Sequence, residues 1–200
     1  MEKKVWIMDR GLMLEGRYHY VRGEKGSAVI THPHPSYGGN MDNPVVLQLA
    51  KSFNKKGYST LRFNFRGVGA STGIHDGGEA EMEDVRSALA FIDHPRLYLA
   101  GYSFGSRVNA GFMASDFGQG VVDHIMVSPP VAFMSFEGVG RPHNTGLVIT
   151  GARDEIAPPE GVQEQMDIWE NPGRLEIIPG ADHFYSGALH ILARTLEAYL

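Results

Sequence analysis

The chain reads as short apolar runs, each closed by a turn and most followed by a longer stretch of helical spacing. Runs at 4–8 and 12–21 flank Asp9-Arg10-Gly11, and the second alternates in part between polar and apolar residues. Together they predict an antiparallel hairpin at the edge of a sheet. Ala28-Val29-Ile30-Thr31 carries the β-branched signature of a buried strand. Further strands are predicted at 60–65, 96–100, 121–127, 147–150 and 175–178. A helix is expected from Asn43-Pro44, because Asn caps well and Pro suits the first helical position. Val46, Leu49, Ala50 and Phe53 continue it at helical spacing, and Gly57 can end it. Other helices are predicted at 79–92, which opens with acidic residues, and at 104–114, 160–169 and 187–200. Strands alternating with helices predict βαβ units: an α/β fold with a mostly parallel sheet covered on both faces, in one domain spanning 1–200. Ligands of such sheets gather at the carboxyl ends of the strands, so polar residues just after a strand are the candidates for chemistry.

Composition narrows the chemistry. The 200 residues include no Cys, which excludes disulfides, Cys-ligated zinc, iron–sulfur clusters and thiol catalysis. The formal net charge of −5, without a basic cluster, argues against a nucleic-acid partner. No run approaches the ~18 apolar residues of a membrane span. The apolar stretch after Lys4 is too short for a signal-peptide core. The expectation is a cytoplasmic protein with a small-molecule partner and no membrane or nucleic-acid role; nothing in the sequence fixes its oligomeric state.

Gly101-Tyr102-Ser103-Phe104-Gly105 follows a predicted strand and opens a predicted helix. A Ser on that turn is lifted out of the sheet, and flanking Gly residues are needed because side chains there would collide. Small residues at Ser106, Ala110 and Gly111 would let the helix lie close to the sheet. A Ser hydroxyl needs a base near neutral pKa, so His is the first choice. Of nine His, His183 in Gly180-Ala181-Asp182-His183-Phe184 follows the last strand. His190 is expected on a helix surface, and His19, His75, His94, His124 and His143 in solvent. An acid must orient the base. Asp154, after the penultimate strand, is the choice, with Glu155 and Asp182 as alternatives. Two N–H donors must hold an oxyanion. Phe104 supplies one. In His32-Pro33-His34-Pro35-Ser36-Tyr37 the prolines have no N–H, which leaves His34, Ser36 or Tyr37, with His34 favoured. His32 and His34 would point to opposite faces of an extended segment, so no metal is expected. Arg66-Gly67-x-Gly69 lacks the remainder of a phosphate loop; Arg66 is expected to pair with Glu79, Glu83 or Asp84.

These segments resemble the α/β-hydrolase superfamily, and more narrowly its small, lidless, dienelactone-hydrolase-like bacterial members. The resemblance runs from about Ala28 onward. It rests on His32-Pro33-His34-Pro35 with Gly38-Gly39-Asn40-Met41-Asp42-Asn43, on Phe63-Asn64-Phe65-Arg66-Gly67-Val68-Gly69-Ala70-Ser71, and on the Ser103, Asp154 and His183 segments. It implies an eight-stranded sheet whose second strand is antiparallel, and cofactor-free catalysis by Ser, His and Asp. Dienelactone hydrolases proper carry Cys where this chain has Ser103. Larger relatives insert a cap after the sixth strand; the 128–146 interval here is too short for one, which predicts an open site. Phe133, Met134 and Phe136 are expected on one wall of it, Tyr37 and Met41 on the other. The resulting expectation is a serine hydrolase of a small carboxylic ester or thioester. Alternatives are acyl transfer or peracid formation at the same residues, or a non-catalytic binding protein that keeps the fold.

Overall fold

The computed structural model describes residues 2–170 and 173–200. Eight strands form one sheet: β1 (Glu2–Asp9), β2 (Leu12–His19), β3 (Ser27–Thr31), β4 (Ser59–Phe63), β5 (Leu97–Tyr102), β6 (Val121–Val127), β7 (Thr145–Gly151) and β8 (Arg174–Ile178). Their order is β1-β2-β4-β3-β5-β6-β7-β8. Strand β2 runs antiparallel to both neighbours, and every other pair is parallel. The hairpin turns at Arg10 and Gly11, both at positive φ, as a tight two-residue connection between twisted strands requires.

Five helices cover the sheet: α1 (Pro44–Lys55), α2 (Glu79–Ile92), α3 (Phe104–Ala114), α4 (Pro159–Ile168) and α5 (Leu189–Tyr199). The strands sort side chains by alternation. Ala28, Ile30, Ala100 and Tyr102 join the core under α1 and α5, while Val29 and Leu99 join the one under α2 and α3. Asn43 caps α1 as expected, its side chain accepting the Val45 N–H at 2.9 Å. Among the described residues no helix is long and apolar enough to cross a membrane.

Departures from the sequence reading have local causes. Strand β4 stops at Phe63 because the next amides are taken elsewhere: Asn64 N–H by the Glu15 carbonyl, Phe65 N–H by His32 Nε2. Strand β5 runs two residues further than expected, delivering the chain directly into the turn at Ser103. Gly111 is small for α2, not for the sheet, since a Cβ there would meet Met82 Sδ at 2.8 Å. His124 is not solvated. It lies fully buried on β6, with Nδ1 2.9 Å from Thr145 Oγ1 and Nε2 without a partner among the described residues. His75 is also drawn in, its Nδ1 2.7 Å from buried Glu81 Oε1. Arg66 does pair with Asp84, through Nε at 3.0 Å and Nη2 at 2.7 Å.

The loops after β7 and β8 are sewn together. Ala152 N–H donates to Ile178 O and Arg153 N–H to Ala181 O, each at 2.9 Å. Gly151 sits so close to this seam that a Cβ would overlap the Ala181 carbonyl. Gly151→Ala should therefore lose roughly 1–3 kcal/mol of stability in urea denaturation, the usual cost of overpacking; an unchanged midpoint would contradict the seam. A second prediction concerns pH. Burial lowers His32 from 6.5 to about 4 and His124 to about 3, so the folded state binds fewer protons than the unfolded chain below pH 6.5. Stability present at pH 7 is lost as pH falls through 6.5 toward 4, by roughly 2 kcal/mol per histidine by pH 5. The urea midpoint should drop over that window, and less steeply in His124→Gln; identical slopes would count against a neutral buried His124.

Candidate active site

Strand β5 enters α3 through Ser103, whose backbone is at φ 53°, ψ −119°. This region is costly for a residue with a side chain, by about 1–3 kcal/mol. The surroundings permit nothing else. A Cβ on Gly101 would lie 2.5 Å from Asn109 Nδ2 and 2.7 Å from Gly105 C, and one on Gly105 would lie 2.5 Å from Thr31 Oγ1. Both glycines are thus required for α3 to come down against β3 and β5. Ser103 N–H is tied to Val127 O at 2.9 Å, and its carbonyl accepts from Ser106 Oγ at 2.6 Å and Ser106 N at 2.9 Å. The hydroxyl is left to point out of the turn.

His183 meets that hydroxyl. Its Nε2 lies 2.9 Å from Ser103 Oγ, and its Nδ1 lies 2.9 Å from each carboxylate oxygen of Asp154. All three side chains are buried. Since the carboxylate can only accept, Nδ1 carries the proton and Nε2 is the acceptor for the Ser103 O–H. The imidazole is further held by its own backbone, whose carbonyl accepts the Tyr102 hydroxyl at 2.8 Å. Asp154 Oδ1 also accepts N–H bonds from Ile156 at 3.0 Å and Ala157 at 2.7 Å. Burial alone would raise this carboxyl, but the hydrogen bond and charge of His183, the Ser128 hydroxyl and the Ala157 N–H hold it below its ordinary value. The alternative acids lie elsewhere: Glu155 is exposed, and Asp182 accepts the Ser186 N–H at 2.9 Å.

Two supporting residues escaped the sequence reading. Ser128, directly after β6 at φ 47°, has its hydroxyl 2.9 Å from the Tyr185 hydroxyl. The Ser128 hydroxyl is one of the groups that hold the Asp154 carboxyl low, and it pairs with the Tyr185 hydroxyl. Their position after β6 and two residues past His183 is the one sequence signal, and it marks the rim without revealing the pairing.

The loop after β3 bends into a single 3-10 turn, Pro35–Tyr37. It also disposes of two of the three expected donors. Ser36 N–H goes to His34 Nδ1 at 3.2 Å and Tyr37 N–H to His34 O at 3.1 Å. The His34 N–H engages no acceptor among the described residues, and Phe104 opens α3, where the first amides have no intrahelical partner. The His34 ring lies 4.8 Å from Phe104 and 5.2 Å from His75. Burial and the charge of His75 lower its pKa. His32 beneath it is committed on both nitrogens, accepting from Phe65 N–H at 3.0 Å and facing Pro33 O at 2.7 Å.

A cavity of about 230 Å³ opens beside Ser103 and His183, and Tyr37, Phe133 and Met134 line it. Met41 and Phe136 do not. Met41 is buried, its N–H bonded to Asn64 Oδ1 at 2.9 Å and its carbonyl to Arg62 Nη1 at 3.0 Å. Phe136 packs in the core on Trp169 at 5.4 Å, with Arg107 over its ring. Both are apolar loop residues consumed by packing. The 128–144 interval holds no helix and forms no helical lid; it contributes Pro130, Phe133 and Met134 to the cavity wall.

No family model matches the chain. Among curated proteins, RP471 of Rickettsia prowazekii is 31% identical over 202 residues, covering 94% of this chain and 84% of its own length. Among solved structures, an α/β serine hydrolase homologue from Coxiella burnetii superimposes with a TM-score of 0.91 at 34% identity, over 99% of this chain and 97% of that one. XC6422 from Xanthomonas campestris, an α/β serine hydrolase without a lid, reaches 0.89 at 29% identity over 98% and 92%. With 34% identity over nearly the whole of both chains, the chain belongs to the α/β-hydrolase family, alongside its lidless serine hydrolase homologues.

Proposed function

We propose that this chain hydrolyses a small carboxylic ester or thioester through an acyl-enzyme on Ser103. The observation that carries the reading is the unbroken path from Ser103 Oγ through both nitrogens of His183 to both oxygens of Asp154, each link 2.9 Å. Such a path serves no purpose in a passive turn, where the Ser103 backbone strain would go uncompensated.

The steps follow from the protonation states. His183 Nε2 takes the Ser103 proton as Oγ bonds to the substrate carbonyl carbon, and Asp154 stabilises the imidazolium without itself becoming protonated. The carbonyl π electrons move onto oxygen, and the N–H groups of Phe104 and His34 donate to that oxyanion. Collapse of the tetrahedral species breaks the bond to the alkoxide or thiolate, which leaves with the proton from Nε2. Water, deprotonated by the same nitrogen, then attacks the acyl-Ser103, and a second collapse releases the acid and restores the hydroxyl.

The native protein should be labelled covalently by an organofluorophosphonate at pH 8, and Ser103→Ala should not. Asp154→Asn should fold normally yet lose roughly 10⁴ in kcat, the loss seen when the base is left in the wrong tautomer. Native protein that resists the probe, or an Asp154→Asn variant with full activity, would defeat the proposal.

A further inference from the structure

We infer that the acyl group this site takes is uncharged and built on one flat aromatic ring. The inference rests on the hydrolase reading above and deepens it. Three large aromatic side chains stand around the cavity mouth, Tyr37, Phe133 and Phe184, and they are 74%, 54% and 67% exposed. Rings left this wet at the edge of a cavity mark a binding surface more readily than a core. They come from three loops. Tyr37 follows β3, Phe133 follows β6, and Phe184 follows β8 beside His183. The first two touch edge to face, ring centroids 5.6 Å apart, and so form one continuous aromatic wall.

The roles of the two sides follow from the proton path. The leaving group must sit by His183 Nε2, and hence by Phe184, because that nitrogen protonates it. The acyl half therefore extends the other way, along the apolar wall that Tyr37, Phe133 and Met134 form together. Size then limits it. A dry cavity of about 150 Å³ holds one benzene ring, so the 230 Å³ that both halves of the substrate share here holds one ring, a short linker to the carbonyl and a small leaving group. A long aliphatic chain would run out into water. Charge limits it further: none of the residues lining the cavity is Lys, Arg, Asp or Glu. A carboxylate on the acyl group would lose its hydration with no cation to replace it. The exposed parts of the Tyr37 and Phe133 rings offer an aromatic surface on which a flat ring packs edge to face or offset.

The test compares kcat/KM, by titration of released acid, for methyl 3-phenylpropanoate, methyl 3-cyclohexylpropanoate, monomethyl succinate and methyl acetate. A methyl leaving group keeps any second ring out of the comparison. The phenyl ester should exceed the succinate half-ester by about tenfold or more and the cyclohexyl ester by about threefold. In the double variant Tyr37→Ala/Phe133→Ala, the ratio of phenyl ester to acetate should fall about tenfold. Both side chains are exposed, so the variant should keep its fold. Turnover of methyl acetate without preference for the ring, an equal rate on the succinate half-ester, or an unchanged ratio in the variant would overturn the substrate class and leave the hydrolase reading standing. Failure to hydrolyse any of the four, together with no fluorophosphonate labelling of Ser103, would remove both.

Discussion

Everything at this site hangs on the backbone of Ser103, held at φ 53° between a strand and a helix. The conformation is unfavourable by itself and persists because four neighbours over-determine it. Gly101 and Gly105 lack the atoms that would push β5 and α3 apart. The Val127 carbonyl takes the Ser103 N–H, and Ser106 takes the Ser103 carbonyl. The return on that strain is orientation. A hydroxyl in an ordinary helical turn would lie along the helix surface, whereas this one stands over the sheet edge where loops from β3, β6, β7 and β8 converge.

Those loops are rigid for specific reasons. The β7 and β8 loops share backbone hydrogen bonds across the Gly151–Ala181 seam, which fixes the spacing of Asp154 and His183. The β6 loop contributes Ser128, which helps hold the Asp154 carboxyl low and is itself tied to the Tyr185 hydroxyl at 2.9 Å. The β3 loop is pinned from below by neutral His32 bridging to Phe65, and its 3-10 turn consumes the Ser36 and Tyr37 amides while leaving that of His34. The site is thus preorganised by the backbone, and little rearrangement is needed on binding.

Much of this was legible in the sequence where a residue's role depends on its near neighbours. Helices α2 and α3 run over the predicted residues, because their starts are signalled by acidic residues and by the Ser103 turn. Ser103, Asp154 and His183 could be singled out because each lies in the loop after a strand: Ser103 directly after β5, Asp154 after β7 and His183 after β8. What could not be read depends on distant partners. His124 sits in a strand whose other face is core, and only the pairing with Thr145, 21 residues away, tolerates its burial. Met41 and Phe136 share the composition of a pocket wall, and only Arg62 and Trp169 decide that they pack instead. The choice among His34, Ser36 and Tyr37 needed the turn geometry that spends the other two amides.

The central claim is that His183 and Asp154 turn Ser103 into a nucleophile. The most direct measurement is the intact mass of the protein quenched in acid milliseconds after mixing with an activated small ester, followed by mapping of the modified peptide. The account predicts a transient gain of one acyl group, carried on the peptide containing Ser103 and decaying as the acid product forms. Product formation with no covalent gain at any time, or with the acyl group on another residue, would contradict it.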